Sequence, residues 1–244
     1  MRQFGLIAYP VAHSFSKQYF EKKFAQEGIS DAVYELYPLP QIEDLPALIQ
    51  AKPELCGLNV SIPHKQAVIP YLDELSDEAK AIGAVNTIRI ERQGGKIRLL
   101  GFNTDYSGFR NSLEPRLSSE MKSALVLGNG GSSKTVQKAL SDLAIDFRVV
   151  SRGGELNYHT LQASDVESVQ LIVNTTPLGM WPNTDQAPEI PYEAINANHL
   201  LFDLVYNPEP SKFLTLGAKK GARIKGGLEM LSLQAEAAWT IWNA

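Results

Sequence analysis

The chain of 244 residues contains a single cysteine, Cys56, so no disulfide bond can form within it. It has no run of apolar residues of transmembrane length. Its four histidines are not spaced as metal ligands, and we predict no metal site. The net charge of −4 argues against nucleic acid or an anionic membrane surface as the main partner. Together these absences favour a cytoplasmic location.

Predicted strands and helices alternate along the chain. Short apolar runs at Phe4 to Ala8, Val33 to Tyr37 and Leu55 to Val60 predict strands, and helical patterns lie between them. Strands separated by helices usually pair in parallel, so we predict an α/β fold. Two further apolar runs flank Gln93 to Gly95, which predicts a β-hairpin.

The strongest motif is the glycine turn Gly128 to Ser132. It follows the predicted strand Ala124 to Leu127 and opens a predicted helix. Gly128 can make the tight turn, and Gly130 has no Cβ to keep a pyrophosphate from the backbone. The helix N-terminus adds unpaired N–H groups and a positive dipole end. This context favours a dinucleotide site over an ordinary strand–helix turn.

The end of the next predicted strand indicates which dinucleotide would bind. An NAD-type site carries Asp or Glu there, which binds the ribose hydroxyls. This chain has Ser151-Arg152 instead. Arginine suits a 2′-phosphate through charge-assisted hydrogen bonds, so the pattern favours NADP. The alternative is a solvated loop arginine.

The first three strands lack a glycine turn of this kind, and we predict a separate substrate-binding lobe there. Asn59, Ser61 and Lys65 follow the third strand, and ligands of open α/β sheets bind at the carboxyl ends of strands. Ser14 and Ser16 could cap the first long helix or hold a hydroxylated ligand.

We expect two lobes, with boundaries set by these motifs. Residues 1–110 are predicted as the α/β substrate lobe and residues 111–220 as a Rossmann-type dinucleotide-binding lobe. Residues 221–244 are predicted as a C-terminal helix that packs back toward the N-terminal lobe. We expect Ile224 to Gly227 to open this helix, and Gln234 to be half-exposed at the edge of its apolar stripe.

Taken together, these motifs resemble the shikimate dehydrogenase family. The matching segments are Gly5 to Ser16, Asn59 to Lys65, Gly83 to Thr87, Gly101 to Asp105, Gly128 to Ser132, Asn174 to Met180, Asp203 to Pro208 and Gly227 to Gln234. They occur in the family's order and span nearly the whole chain. The resemblance implies reversible NADP-linked reduction of 3-dehydroshikimate to shikimate, in aromatic amino-acid biosynthesis.

The resemblance also implies roles for individual residues. Lys65 matches the family's catalytic lysine, and Asp105 matches its partner aspartate. The implied substrate-binding residues are Ser14, Ser16, Ser61, Lys65, Asn86, Asp105, Tyr206 and Gln234. The implied cofactor-binding residues are Gly128, Asn129, Gly130, Gly131, Ser132, Ser151, Arg152, Thr175, Leu204 and Gly227. From its position alone, Asp105 could instead cap a helix.

A lysine suits this reaction because its ammonium can donate a proton to the ketone oxygen, and the amine can take it back. Leu156 stands near where many family members have a second basic residue, which leaves open a quinate/shikimate dehydrogenase with relaxed cofactor choice. A non-catalytic NADP-binding regulator is a third reading, against which the presence of Lys65 and Asp105 argues. We expect a small-molecule substrate, no nucleic-acid or membrane partner, and a monomer or homodimer.

Overall fold

The computed structural model describes residues 1–11 and 15–244, and the chain divides into two compact units. Unit 1 comprises Met1–Thr104 and Ala235–Ala244, and unit 2 comprises Asp105–Gln234. The first boundary thus follows Thr104 instead of residue 110. Residues 221–234 group with unit 2, whereas the sequence predicts residues 221–244 as one C-terminal segment.

Helices occur in both units, and two of them contain the boundaries between the units. The α-helices of the described residues are α1 (Phe15–Glu27), α2 (Leu45–Ala51), α3 (His64–Ala67), α4 (Asp77–Ile82), α5 (Thr104–Leu113), α6 (Gly131–Asp142), α7 (Ala163–Glu167), α8 (Lys212–Ala218) and α9 (Leu228–Trp242). Unit 2 begins at the second residue of α5 and ends within α9. Each boundary therefore lies inside a continuous helix.

Unit 1 is built on a mixed six-stranded sheet. Its strands are β1 (Arg2–Ala8), β2 (Ala32–Pro38), β3 (Leu55–Val60), β4 (Glu74–Leu75), β5 (Thr87–Gln93) and β6 (Lys96–Phe102). They lie in the order β2-β1-β3-β5-β6-β4. β1 pairs in parallel with β2 and β3, whereas β5 runs antiparallel to β3 and β6. The predicted parallel pairing and the predicted hairpin are both confirmed.

The end of α9 is part of the core of unit 1. Trp242 stacks on Phe4 with ring centroids 4.9 Å apart, and its Nε1 donates to the Ile88 carbonyl oxygen at 3.0 Å. A Cβ on Gly57 would lie 2.3 Å from the Trp242 ring, so only glycine lets β3 and α9 approach this closely. The predicted return of the C-terminal helix to the N-terminal lobe is confirmed.

Unit 2 has the parallel sheet that the glycine turn predicts. Its strands are β7 (Ser123–Leu127), β8 (Asp146–Val150), β9 (Leu171–Asn174), β10 (Leu200–Asp203) and β11 (Arg223–Lys225). All the pairs are parallel, in the order β11-β10-β9-β7-β8. The chain goes from β7 to β8 on one side and then to β9 on the other. In such sheets ligands bind where the strand order reverses, outside the carboxyl ends of the strands.

The prediction that Ile224 to Gly227 open the final helix is wrong. Arg223–Lys225 pairs with β10 as the edge strand β11, and α9 begins at Leu228. Three residues are too few to display the two-residue period of a strand. A Cβ on Gly227 would lie 2.4 Å from the Leu204 carbonyl oxygen, so the chain turns here at a close backbone contact.

Candidate active site

Lys65 lies in the short helix α3, which follows β3. His64 beside it is 3% exposed, and its Nε2 lies 2.6 Å from the Leu39 carbonyl oxygen, which anchors α3 to the core. The Lys65 carbonyl oxygen accepts a hydrogen bond from the Val85 N–H at 2.8 Å. These contacts fix the backbone of Lys65, whose side chain is half-buried, as is that of Ser61. Both residues stand at the carboxyl end of β3, where α/β sheets bind ligands.

Asn86 is the centre of a buried polar network in unit 1. Its Oδ1 accepts from the Thr104 N–H at 2.7 Å, and its Nδ2 donates to Thr104 Oγ1 at 2.9 Å. Thr87 Oγ1 lies 3.2 Å from Asn86 Oδ1 and accepts from Asn59 Nδ2 at 3.3 Å. The network therefore fixes the ends of β3 and β6 relative to each other. Sequence reasoning missed Thr87 and Thr104, although both lie in the segments of the resemblance.

Ser14 and Ser16 are two further predicted substrate residues. Ser14 is outside the described residues. Ser16 lies in the first turn of α1, is half-buried, and forms a hydrogen bond with the Tyr34 hydroxyl. That hydroxyl donates to Asn59 Oδ1 at 2.7 Å, so Ser16 is connected to the network around Asn86.

Asp105 and Gln234 are brought together by a helix crossing in unit 2. Asp105 is 9% exposed and lies inside the first turn of α5, which begins at Thr104. One turn later, a Cβ on Gly108 would lie 2.8 Å from the Met230 carbonyl oxygen and 3.0 Å from Gln234 Cβ. Residues three apart share a helix face, so Asp105 lies on the face of α5 that contacts α9.

Gln234 is 8% exposed, and the expectation of a half-exposed position is therefore wrong. The close approach of α5 at Gly108 covers it, and its Nε2 donates to the Leu231 carbonyl oxygen at 2.9 Å. Sequence reasoning missed Gly108. Its signal was present, because a glycine inside a helix usually has a packing or functional reason.

The glycine turn has the geometry that a nucleotide site requires. Gly128 has φ +109°, and a Cβ there would lie 2.7 Å from Thr175 Oγ1, so glycine is required at this position. The Gly128 N–H donates to the Val150 carbonyl oxygen at 2.8 Å. Ser133 is buried and donates through Oγ to the Gly128 carbonyl oxygen at 2.7 Å. The turn is therefore locked to both β8 and α6.

Gly130 is glycine for a different reason. It is the N-cap of the 12-residue helix α6, where no side chain makes a capping hydrogen bond among the described residues. Its φ is −76°, and a Cβ would have no neighbour within 4 Å. Neither backbone strain nor packing requires glycine here. Glycine here leaves the start of α6 without a side chain, as close approach of a dinucleotide pyrophosphate would require.

Arg152 lies in a tight loop after β8. The Ser151 N–H donates to the Leu156 carbonyl oxygen at 3.1 Å, and the Gly154 N–H donates to the Ser151 carbonyl oxygen at 3.2 Å. Arg152 is exposed, whereas Leu156 packs against the core. Because β7 and β8 pair in parallel up to their last residues, this loop and the glycine turn begin at the same sheet edge.

The ends of β9 and β10 extend this edge. Thr175 donates through Oγ1 to the Leu127 carbonyl oxygen at 2.6 Å, which holds it beside the glycine turn. The Leu204 N–H donates to the Asn174 carbonyl oxygen at 3.0 Å, and Gly227 packs against the Leu204 carbonyl group. The predicted cofactor residues of unit 2 therefore lie along one edge of its sheet. The predicted substrate residue Tyr206 follows in the same turn and is half-buried.

Asp203, a residue that sequence reasoning missed, links these strand ends. Its Oδ1 accepts from Asn174 Nδ2 at 2.9 Å and from the Val205 N–H at 3.0 Å, and its Oδ2 accepts from Ser211 Oγ. The side chain is fully buried, and this burial raises the pKa of Asp203 to about 6, against the opposite effect of these hydrogen bonds.

Two other kinds of site are absent from the described ranges 1–11 and 15–244. No group of three or more His, Cys, Asp and Glu side chains there could hold a metal ion. No helix within these ranges is both long enough and apolar enough to span a membrane.

Sequence comparison connects the chain to proteins of known activity. Residues 6–88 match the family model of the shikimate dehydrogenase substrate binding domain. The chain is 37% identical to an NADP⁺-dependent shikimate dehydrogenase of Clostridium beijerinckii over 256 residues, which cover 100% of this chain and 92% of the relative.

Structure comparison gives related results. A Thermus thermophilus shikimate 5-dehydrogenase in complex with NADP(H) and shikimate is 31% identical to this chain, with a TM-score of 0.86. The match covers 99% of this chain and 93% of that one. A Corynebacterium glutamicum quinate dehydrogenase in complex with NAD gives a TM-score of 0.87 at 25% identity, covering 99% and 93% of the two chains.

Proposed function

Since this chain belongs to the shikimate dehydrogenase family, we propose that it catalyses the reversible reduction of 3-dehydroshikimate to shikimate with NADPH. The observation that carries the proposal is the similarity to NADP⁺-dependent shikimate dehydrogenases over the whole chain, together with Lys65 and Asp105 at their motif positions. The product is a precursor for aromatic amino-acid biosynthesis. We infer a cytoplasmic location from this biosynthetic role.

The cofactor would be held along the sheet edge of unit 2. The N–H groups at the start of α6 suit its pyrophosphate, and the guanidinium of Arg152 suits a 2′-phosphate. Leu204 would line the nicotinamide, and Thr175 and Gly227 would contribute further contacts to the cofactor. When bound, NADPH supplies the hydride that adds to the ketone carbon.

Lys65 would provide the proton that completes the reduction. As the hydride adds to the carbonyl carbon, the C=O double bond becomes a single bond, and the oxygen takes a proton from the Lys65 ammonium. The lysine is left as a neutral amine. In the oxidation of shikimate, this amine would take the hydroxyl proton while the hydride passes from the carbon to NADP⁺. Asp105, as a carboxylate, would orient the ammonium form of Lys65.

Hydroxyl and amide groups would bind the rest of the substrate. Those of unit 1 are Ser14, Ser16, Ser61 and Asn86, and those of unit 2 are Tyr206 and Gln234. Such groups can both donate and accept hydrogen bonds, which suits a polyhydroxylated carboxylate.

A quinate/shikimate dehydrogenase with relaxed cofactor choice is the second candidate. Two observations favour keeping it, namely the similarity to a quinate dehydrogenase that binds NAD and the apolar Leu156 in the Arg152 loop. A non-catalytic NADP-binding regulator is disfavoured because a pure binding protein has no need of both Lys65 and Asp105.

A four-way assay tests the proposal. The purified protein is mixed with shikimate or quinate and with NADP⁺ or NAD⁺, and the absorbance of reduced nicotinamide is followed. We expect the highest kcat/KM with shikimate and NADP⁺. Comparable turnover of quinate, or with NAD⁺, would establish the second candidate. Binding of NADP⁺ by calorimetry without turnover of either substrate would establish the regulator.

A further inference from the structure

Tyr34 connects two side chains at the predicted substrate site without belonging to it. It lies in β2 and is 2% exposed. Its hydroxyl donates to Asn59 Oδ1 at 2.7 Å and also forms a hydrogen bond with Ser16. Ser16 matches a substrate-binding position, and Asn59 stands at the carboxyl end of β3.

The direction of these hydrogen bonds follows from the contacts of Asn59. The Asn59 Nδ2 donates to the Asn86 carbonyl oxygen and to Thr87 Oγ1, each at 3.3 Å, so its Oδ1 faces Tyr34. The single phenolic proton of Tyr34 is therefore given to Asn59. The Ser16 hydroxyl consequently donates to the phenolic oxygen, which sets the direction of its O–H bond.

Packing leaves the Tyr34 hydroxyl little freedom. The ring stacks on Phe20 with centroids 4.5 Å apart and an interplanar angle of 14°, and the Trp242 ring lies 6.3 Å away. A phenylalanine would fill the same apolar space and would not require a buried hydroxyl group to be satisfied. Packing therefore accounts for the ring of Tyr34 but not for its hydroxyl group.

We propose that Tyr34 is a positioning residue for the substrate, which holds Ser16 and Asn59 in the orientation that binds a hydroxylated carboxylate. The inference rests on the proposed dehydrogenase function. Without the phenol, Ser16 loses the acceptor that directs its proton, and Asn59 Oδ1 loses its donor. Each side chain would then be held by one hydrogen bond fewer, and the site would lose part of its preorganisation.

The test compares Tyr34→Phe with Tyr37→Phe, a control three residues further along the same strand. For Tyr34→Phe we expect a KM for shikimate raised about five- to fiftyfold, because removal of one hydroxyl group takes a hydrogen bond from each of two polar side chains. The KM for NADP⁺ should stay within about twofold. Tyr37→Phe should leave the KM for shikimate and the KM for NADP⁺ unchanged. Turnover by the wild type and by Tyr37→Phe tests the proposed function separately.

A double-mutant cycle with Ser16→Ala tests how Tyr34 acts. If Tyr34 positions Ser16, the increase in KM for shikimate in Tyr34→Phe, Ser16→Ala should be clearly smaller than the product of the two single increases. Melting temperatures are measured for every variant. An unchanged KM for shikimate in Tyr34→Phe would overturn the proposal. So would equal increases in both KM values with a lower melting temperature, or fully multiplicative effects in the cycle.

Discussion

At the scale of single residues, the candidate site contains two kinds of side chain. Asn86 and Asp203 are buried and use their polar atoms to hold strand ends in place. Arg152 is exposed at the tip of a loop whose backbone is internally hydrogen-bonded. Mutation of a buried side chain of the first kind alters the positions of the strand ends. Mutation of an exposed side chain of the second kind alters only the contact with a ligand.

Arg152→Ala should therefore change cofactor choice and leave the fold intact. The loss of charge-assisted hydrogen bonds to a 2′-phosphate costs about 1.5–3 kcal/mol, so kcat/KM for NADP⁺ should fall about 10- to 150-fold. The value for NAD⁺ should change little. Arg148→Ala is the control, because Arg148 is an exposed arginine of β8 that binds Asp165. Equal losses with the two cofactors would contradict the role given to Arg152.

Functional residues can be predicted from the sequence where a contiguous motif determines the local backbone geometry. The glycine turn is such a case, because strand, turn and helix are contiguous. Gly108, Tyr34 and Asp203 were missed because each has a partner far away in the sequence. Gly108 packs against α9, Tyr34 donates to Asn59, and Asp203 accepts from Asn174. A glycine inside α5 indicates a close approach but does not identify the helix that makes it.

At the scale of elements, the turn between β7 and α6 combines a structural glycine with an open one. Gly128 has a positive φ and faces Thr175, whereas Gly130 has an ordinary φ and faces open space. Substitution of Gly128 should therefore affect the stability of the turn, whereas substitution of Gly130 should affect its capacity to bind a ligand.

The paired variants Gly128→Ala and Gly130→Ala measure this difference. Gly128→Ala should lower the free energy of unfolding by about 1–3 kcal/mol, through backbone strain and the contact with Thr175. Gly130→Ala should change stability by less than about 1 kcal/mol. It should nevertheless raise the KM for NADP⁺ severalfold, because the methyl group occupies the space in front of α6. Normal NADP⁺ affinity in Gly130→Ala would remove this turn from the cofactor site.

The turns after β9 and β10 are held by a buried carboxylate whose protonation affects stability. The folded-state pKa of Asp203, about 6, lies above the value of 3.8 for an ordinary aspartate. The folded state therefore binds the proton more tightly than the unfolded state. The stabilising effect of that proton is fully present below pH 4 and is lost as pH rises toward 6.

Asp203→Asn should remove this pH dependence. The amide can accept through Oδ1 from Asn174 and Val205 and can donate to Ser211 Oγ. Relative to the wild type, the variant should gain about 2–3 kcal/mol in the free energy of unfolding between pH 4 and pH 7. Urea denaturation across this range measures the difference. Asp77→Asn, at a fully exposed side chain, is the control. If the difference in the free energy of unfolding between the wild type and Asp203→Asn does not change with pH, Asp203 is not the source of the pH dependence.

At the scale of the whole molecule, the sequence predicted two lobes correctly, because the periods of strands and helices and the glycine turn are local signals. The position of the boundaries was less predictable. Because α5 and α9 continue from one unit to the other, there is no linker composition to mark the change. The predicted reaction groups are also divided, since Lys65 belongs to unit 1 and Asp105 to unit 2.

Lys65→Ala should lower kcat by roughly 10²–10⁴, the usual range for a positioned general acid–base group. Asp105→Asn preserves the shape of the side chain and removes its charge, and we expect a large loss of kcat there too. Both melting temperatures should stay close to that of the wild type. If the two residues serve one proton-transfer step, the double variant should be hardly slower than Lys65→Ala.

The most direct test of the account is the kcat of wild type, Lys65→Ala, Asp105→Asn and the double variant, measured with saturating shikimate and NADP⁺. We predict rapid turnover by the wild type, large losses in both single variants and strong non-additivity in the double variant. Wild-type protein that binds both ligands but does not reduce NADP⁺, or a Lys65→Ala variant with normal kcat, would contradict the account.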